Sequence, residues 1–183
     1  SPVFAPEHDW LGDPALAAGL RALASRGLVL DILVGPAQLG LVVALQERFP
    51  ALRMVVNHGG RPVLMGEDLA PWRAGIVRVA RETGAVVKLS GLIERAGFEW
   101  TPAHLAPAVD HLVATLGPAR LAFASNWPML DLMGSWAGWV AALEELLDRR
   151  GLDPAGRSAI RSGTATAVYG LTPPPPMAPE RLA

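Results

Sequence analysis

His58 stands in the run Val55-Val56-Asn57-His58-Gly59-Gly60-Arg61-Pro62. A neutral imidazole there could bind a divalent metal, act as a base or hydrogen-bond a substrate carbonyl. The two glycines after it let backbone or substrate approach closely. Arg61 could grip a carboxylate with two parallel N–H groups. The plainer alternatives are a buried histidine that satisfies backbone groups and an arginine in a surface salt bridge. Lys88 and Ser90 lie two apart, so an extended segment puts them on one face. A lysine inside an apolar strand needs a partner, loses its charge, or snorkels to an edge. Asn126-Trp127-Pro128 joins an amide, a large aromatic and a rigid turn, suited to a pocket wall.

Other polar groups carry less. His104 and His111 lie seven apart, about two helical turns or roughly 10 Å along an axis, too far for one metal ion. No HExxH spacing occurs, and solvated helix histidines are the better account. His8 and Asp9 fall in an irregular N-terminal segment. Glu144, Glu145 and Asp148 read as the wet face of an amphipathic helix. Gly59-Gly60 could cradle a phosphate, but neither GxGxxG nor a Walker pattern is present. There is no cysteine, which removes disulfides, thiolate metal sites and a cysteine nucleophile.

The candidates share a position. Four short apolar runs rich in β-branched residues stand at 28–34 (LVLDILV), 54–58 (MVVNH), 85–90 (AVVKLS) and 121–125 (LAFAS). They lack polar alternation and read as strands buried on both faces, as in a parallel sheet. Helical periodicity fills 14–26, 38–49, 70–83, 102–116, 135–150 and 154–169. Asp13-Pro14, Thr101-Pro102 and Asp153-Pro154 each place an N-cap before a proline at the first helical position. Gly27, Gly84, Gly117 and Gly151 sit where helices should end in left-handed caps. The alternation predicts a parallel α/β architecture, in which functional groups gather at the C-terminal ends of strands. His58, Arg61, Lys88, Ser90, Asn126 and Trp127 all fall at or beside such ends.

The chain has 183 residues, 51% hydrophobic and 18% charged, with net charge −1. That excludes global disorder and leaves no electrostatic footprint for nucleic acid or an acidic membrane surface. No apolar run approaches the roughly 20 residues that span a bilayer, and the start lacks the pattern of a signal peptide. A small-molecule substrate and a cytoplasmic location are the expectation. A domain over 1–171 and a solvated proline-rich tail over 172–183 follow from the composition. The first residue is not Met, so the chain is expected to be processed or part of something longer.

Taken together, the strand-end motifs resemble the amidohydrolase-related family of metal-dependent TIM-barrel hydrolases. The likeness is closest to its lactonase branch, which includes sugar-lactone and pyrone-dicarboxylate lactonases. It rests on 28–39 (LVLDILVGPAQL), 55–62 (VVNHGGRP), 87–92 (VKLSGL), 105–128 and 163–171 (GTATAVYGL). The resemblance implies that these are the last four units of a (β/α)8 barrel, without the N-terminal half that carries the family's His-x-His pair. A four-strand piece of a barrel implies open edges and an apolar face, hence self-association or pairing with the missing half. His58 matches the histidine that contacts metal (zinc or manganese) or the substrate carbonyl, and metal-independent action is the other expectation. Asn126 stands where many members carry the aspartate that activates water, and an amide cannot take that proton near neutral pH. Ala37 replaces a pocket-wall His or Trp. The implied activity is hydrolysis of a lactone or related ester. A non-catalytic barrel fragment acting as a scaffold, or a decarboxylase, are the alternatives.

Overall fold

The computed structural model describes residues 13–66 and 68–172. Four strands form one sheet: β1 Val29–Ile32, β2 Arg53–Val56, β3 Val86–Leu89 and β4 Leu121–Phe123, in the order β1-β2-β3-β4. All three pairings are parallel, with Val29 beside Arg53, Val55 beside Val86 and Val87 beside Leu121. Parallel neighbours need a crossover that carries the chain back, and helices supply it. α1 (Ala17–Ser25) precedes β1, α2 (Leu39–Arg48) joins β1 to β2, and α3 (Ala70–Glu82) joins β2 to β3. α4 (Ile93–Ala96) and α5 (Pro102–Leu116) join β3 to β4, and α6 (Trp136–Arg149), α7 (Pro154–Ser158) and α8 (Thr164–Tyr169) follow.

The helix starts obey their capping residues. The Asp13 carboxylate accepts from the Ala15 amide at 2.8 Å and that of Asp153 from the Gly156 amide at 2.7 Å. Gly27, Gly117 and Gly151 take positive φ where helices end, whereas Gly84 does not. The last helical stretch is not continuous as its periodicity predicts. A π-helical turn at Ala159–Gly163 separates α7 from α8, the kind of insertion that redirects a helix.

Alternation along the strands divides the core. Ile32, Met54, Val56, Val87, Leu89 and Leu121 face the helix layer and pack with Leu39, Trp72, Ile76, Leu105, Leu112, Trp139 and Leu147. The opposite face carries Val55, Val86 and Ala122, against which Ala165, Val168 and Tyr169 of α8 pack. This answers the expectation of an uncovered apolar face: α8 lies across part of it. Three hydrogen-bonding groups pin it there. The Arg53 guanidinium donates to the Ala167 and Val168 carbonyls. The Tyr169 hydroxyl donates to Asp31 Oδ1 at 2.7 Å, and Lys88 Nζ lies 2.7 Å from Asp31 Oδ2 and 5.5 Å from the centre of the Tyr169 ring. Arg120, just before β4, ties the starts of β3 and β4 together, donating to the Ala80 and Ala85 carbonyls at 2.7 and 2.6 Å. His8, Asp9 and the proline-rich segment beyond Thr172 lie outside the described residues.

Candidate functional site

The chain leaves each strand ladder before its apolar run ends, so Leu33, Asn57-His58, Ser90 and Ala124-Ser125 lie beyond the strands. Their loops build a cavity of about 250 Å³ lined by His58, Arg61, Glu94, Arg95 and Asn126, with Leu33, Gly91 and Met129.

The turn after β2 is unusual in its backbone. His58, Gly59, Gly60 and Arg61 all have positive φ, at 55°, 59°, 71° and 53°. A non-glycine residue in this region costs about 1–2 kcal/mol, so its surroundings must hold it. The buried Trp72 of α3 does so, its indole N–H donating to the Gly59 carbonyl at 2.8 Å. Trp139 of α6 makes the matching contact beyond β4, donating to the Ala124 carbonyl at 3.0 Å. Among the described residues, the non-glycine positions with positive φ are His58, Arg61 and Asn126. All three line the cavity.

His58 Nδ1 lies 2.9 Å from the hydroxyl of the buried Ser90. That leaves Nε2 as the ring nitrogen open to a ligand. Burial, then the charges of Arg61 and Lys88, hold the His58 pKa below its ordinary value, so the ring is neutral at pH 7. Burial and the neighbouring Arg95 lower that of Arg61, which still keeps its charge. The Arg95 guanidinium donates to the Pro62 carbonyl at 3.2 Å.

Asn126, φ 64°, donates from Nδ2 to Glu94 Oε1 at 2.7 Å. A carboxylate can only accept from it, which fixes the orientation of the amide and leaves Oδ1 available. Glu94 Oε2 is buried and has no hydrogen-bond partner among the described residues. Trp127 is 71% exposed beside this mouth.

The structure therefore brings together His58, Arg61, Ser90 and Asn126 of the residues singled out by sequence. Lys88 does not line the cavity and is engaged with Asp31 and Tyr169. Glu94 and Arg95 were missed, because they sit in a short helix after β3 with no motif around them. His104 pairs with Thr101 at the start of α5, and His111 packs on Trp72 with ring centres 5.2 Å apart. Glu144 is paired with Arg161, and Asp148 with Arg157, on the exposed side of α6.

Among the described residues, no three His, Cys, Asp or Glu side chains are placed to hold a metal ion. A catalytic zinc takes three protein ligands, and the cavity offers one imidazole and one carboxylate. The described residues therefore do not fit a metal by themselves.

The amidohydrolase family matches residues 3–171. The chain belongs to that family. It is 30% identical over 171 residues to an L-fucono-1,5-lactonase of Burkholderia ambifaria, covering 92% of this chain and 59% of that protein. It is 34% identical over 177 residues to an L-fucono-1,5-lactonase of Burkholderia multivorans, with 90% and 59% covered. A crystal structure of an amidohydrolase from Burkholderia multivorans with bound zinc superimposes with a TM-score of 0.82 at 34% identity, over 89% of this chain and 60% of that one. This amidohydrolase chain thus spans about 59% of the length of the curated relatives it matches and corresponds to the C-terminal half of their TIM barrel. Among its described residues, no helix is long and apolar enough to cross a membrane.

Proposed function

We propose that this chain belongs to a hydrolase that opens a sugar-type lactone. The observation that carries the reading is the cavity at the strand ends, where a neutral His58, the guanidiniums of Arg61 and Arg95 and the oriented amide of Asn126 converge. The relatives named as lactonases support it. In this reading the Ser90 hydroxyl donates to His58 Nδ1, so that Nε2–H donates to the lactone carbonyl and polarises it. Asn126 Oδ1 accepts a hydrogen bond from the attacking water. Arg61 and Arg95 face the negative charge that grows on the carbonyl oxygen and ends on the product carboxylate, the electrostatic help worth most in a water-poor site. Trp127 walls the mouth.

The finer assignments belong to the same reading. His58 is a candidate ligand for zinc or manganese completed by residues outside this chain, and a metal-independent site is the other option. A second half-barrel, or a second copy of the chain, would close the open edges of β1 and β4. The location is cytoplasmic, compatible with a cysteine-free sequence.

The test is an assay of the full gene product with L-fucono-1,5-lactone, followed by acid release above the spontaneous rate, with added zinc, added manganese or chelator. Saturable turnover that falls at least tenfold in His58→Gln is expected. Absence of turnover under all three conditions overturns the reading.

A further inference from the structure

Lactone opening needs a group that removes a proton from water, and besides the two arginines the polar side chains lining the cavity are His58, Asn126 and Glu94. Asn126 cannot serve. His58 is committed in the reading above, with Nδ1 held by Ser90 and Nε2–H given to the carbonyl. Glu94 is the acidic residue lining the cavity. Its Oε1 accepts from the Asn126 amide at 2.7 Å, which holds the carboxylate at the cavity. Its Oε2 is buried and without a partner among the described residues. A carboxylate oxygen taken out of water and left unmatched is costly, and such an arrangement persists where the oxygen has a donor to meet.

We propose that Glu94 is the general base of the lactonase reaction, with Asn126 acting as its holder rather than its replacement. The inference rests on the lactonase reading. Water gives one proton to Glu94 Oε2 as its oxygen bonds to the lactone carbonyl carbon, and the carbonyl π electrons move to oxygen beside Arg61. When the tetrahedral adduct collapses, the bond between that carbon and the ring oxygen breaks. The leaving alkoxide takes the proton back from Glu94, giving a hydroxy acid whose second proton is lost to solvent. Base and holder come from different units, the short helix α4 after β3 and the loop after β4, so the pair forms only in the folded sheet.

The test uses the full gene product with L-fucono-1,5-lactone. Glu94→Gln keeps the size and one acceptor for Asn126 but cannot take a proton. A fall in kcat of about 10²–10⁴ with little change in KM is expected, the usual contribution of a general base. Glu94→Ala should be equally slow and regain rate in added formate, a small carboxylate that fits the vacated space, whereas a purely structural role gives no such rescue. Both variants should melt cooperatively, and Glu94→Gln guards against a folding defect in the alanine variant. Wild-type turnover with Glu94→Gln within threefold of it, or no formate rescue of a folded Glu94→Ala, overturns the assignment while the lactonase reading stands. No wild-type turnover overturns both.

Discussion

Gly91 lies directly behind the ring of His58, so close that a Cβ placed on it would stand 2.7 Å from His58 Cγ and 2.8 Å from Nδ1. No other side chain fits there, and the φ of +63° adds a second reason for glycine. The histidine is thus set from two sides, by the Ser90 hydroxyl and by bare backbone.

Gly91→Ala should therefore displace the ring. Urea unfolding is expected to show a loss of about 1–3 kcal/mol from the left-handed backbone and the clash. Lactone turnover by the full gene product should fall more than tenfold. Ser90→Ala leaves the space intact and removes only the hydrogen bond, so it should cost less stability than Gly91→Ala.

The lowered pKa of His58 has a definite sign. The folded ring resists protonation through burial first and then through Arg61 and Lys88, while the unfolded ring protonates near its ordinary value of 6.5. The unfolded state then binds more protons, so stability falls as pH drops below about 6.5 until the folded ring also protonates. His111, lowered chiefly by burial, acts in the same direction. Urea midpoints from pH 7.5 to 5 should decline, less steeply in His58→Gln. In Arg61→Gln the His58 midpoint should move up, as read by NMR.

The Asp31–Lys88–Tyr169 cluster invites a double-mutant cycle. Burial opposes the Lys88 charge, but Asp31 and Tyr169 outweigh it and raise its pKa. Tyr169, raised by burial and by Asp31, keeps its proton. Tyr169→Phe should cost about 1 kcal/mol and Lys88→Met somewhat more. The double variant should cost less than their sum if the three groups act as one network.

Trp72→Phe and Trp139→Phe keep most of the buried ring and remove the N–H that holds the Gly59 or Ala124 carbonyl. A loss of about 1–3 kcal/mol each is expected in thermal melts. Trp72→Phe should also blur the His58 NMR resonance if its turn depends on that bond.

Much of the frame was legible in advance. Runs of β-branched residues between amphipathic stretches give little choice but parallel strands and crossover helices, and α5 spans Pro102–Leu116 as its periodicity predicts. His58, Arg61 and Asn126 were visible because a glycine or proline one or two positions on marks a strand end. Glu94 was not, since it lies in a four-residue helix too short for periodicity and pairs with Asn126 across 32 positions. Lys88 shows a related limit. Its alternation with Ser90 is real, but the cavity lies beyond the strand end, and the lysine meets Asp31 two strands away. Periodicity reports which way a residue points and not what stands opposite.

The bond from Tyr169 to Asp31 joins positions 138 apart, and those from Arg53 to the backbone of α8 join positions 114 and 115 apart. Such distant pairings close only late, after most of the loop entropy has been spent. On the ribosome, β1, β2 and β3 are all synthesised long before the helix that shelters Val55 and Val86. Until Tyr169 emerges, the part of that apolar surface that α8 covers is open to chaperones and to other nascent chains. The closing of α8 is thus the step that shelters Val55 and Val86, and truncations short of Tyr169 should accumulate in aggregates rather than as shortened native protein.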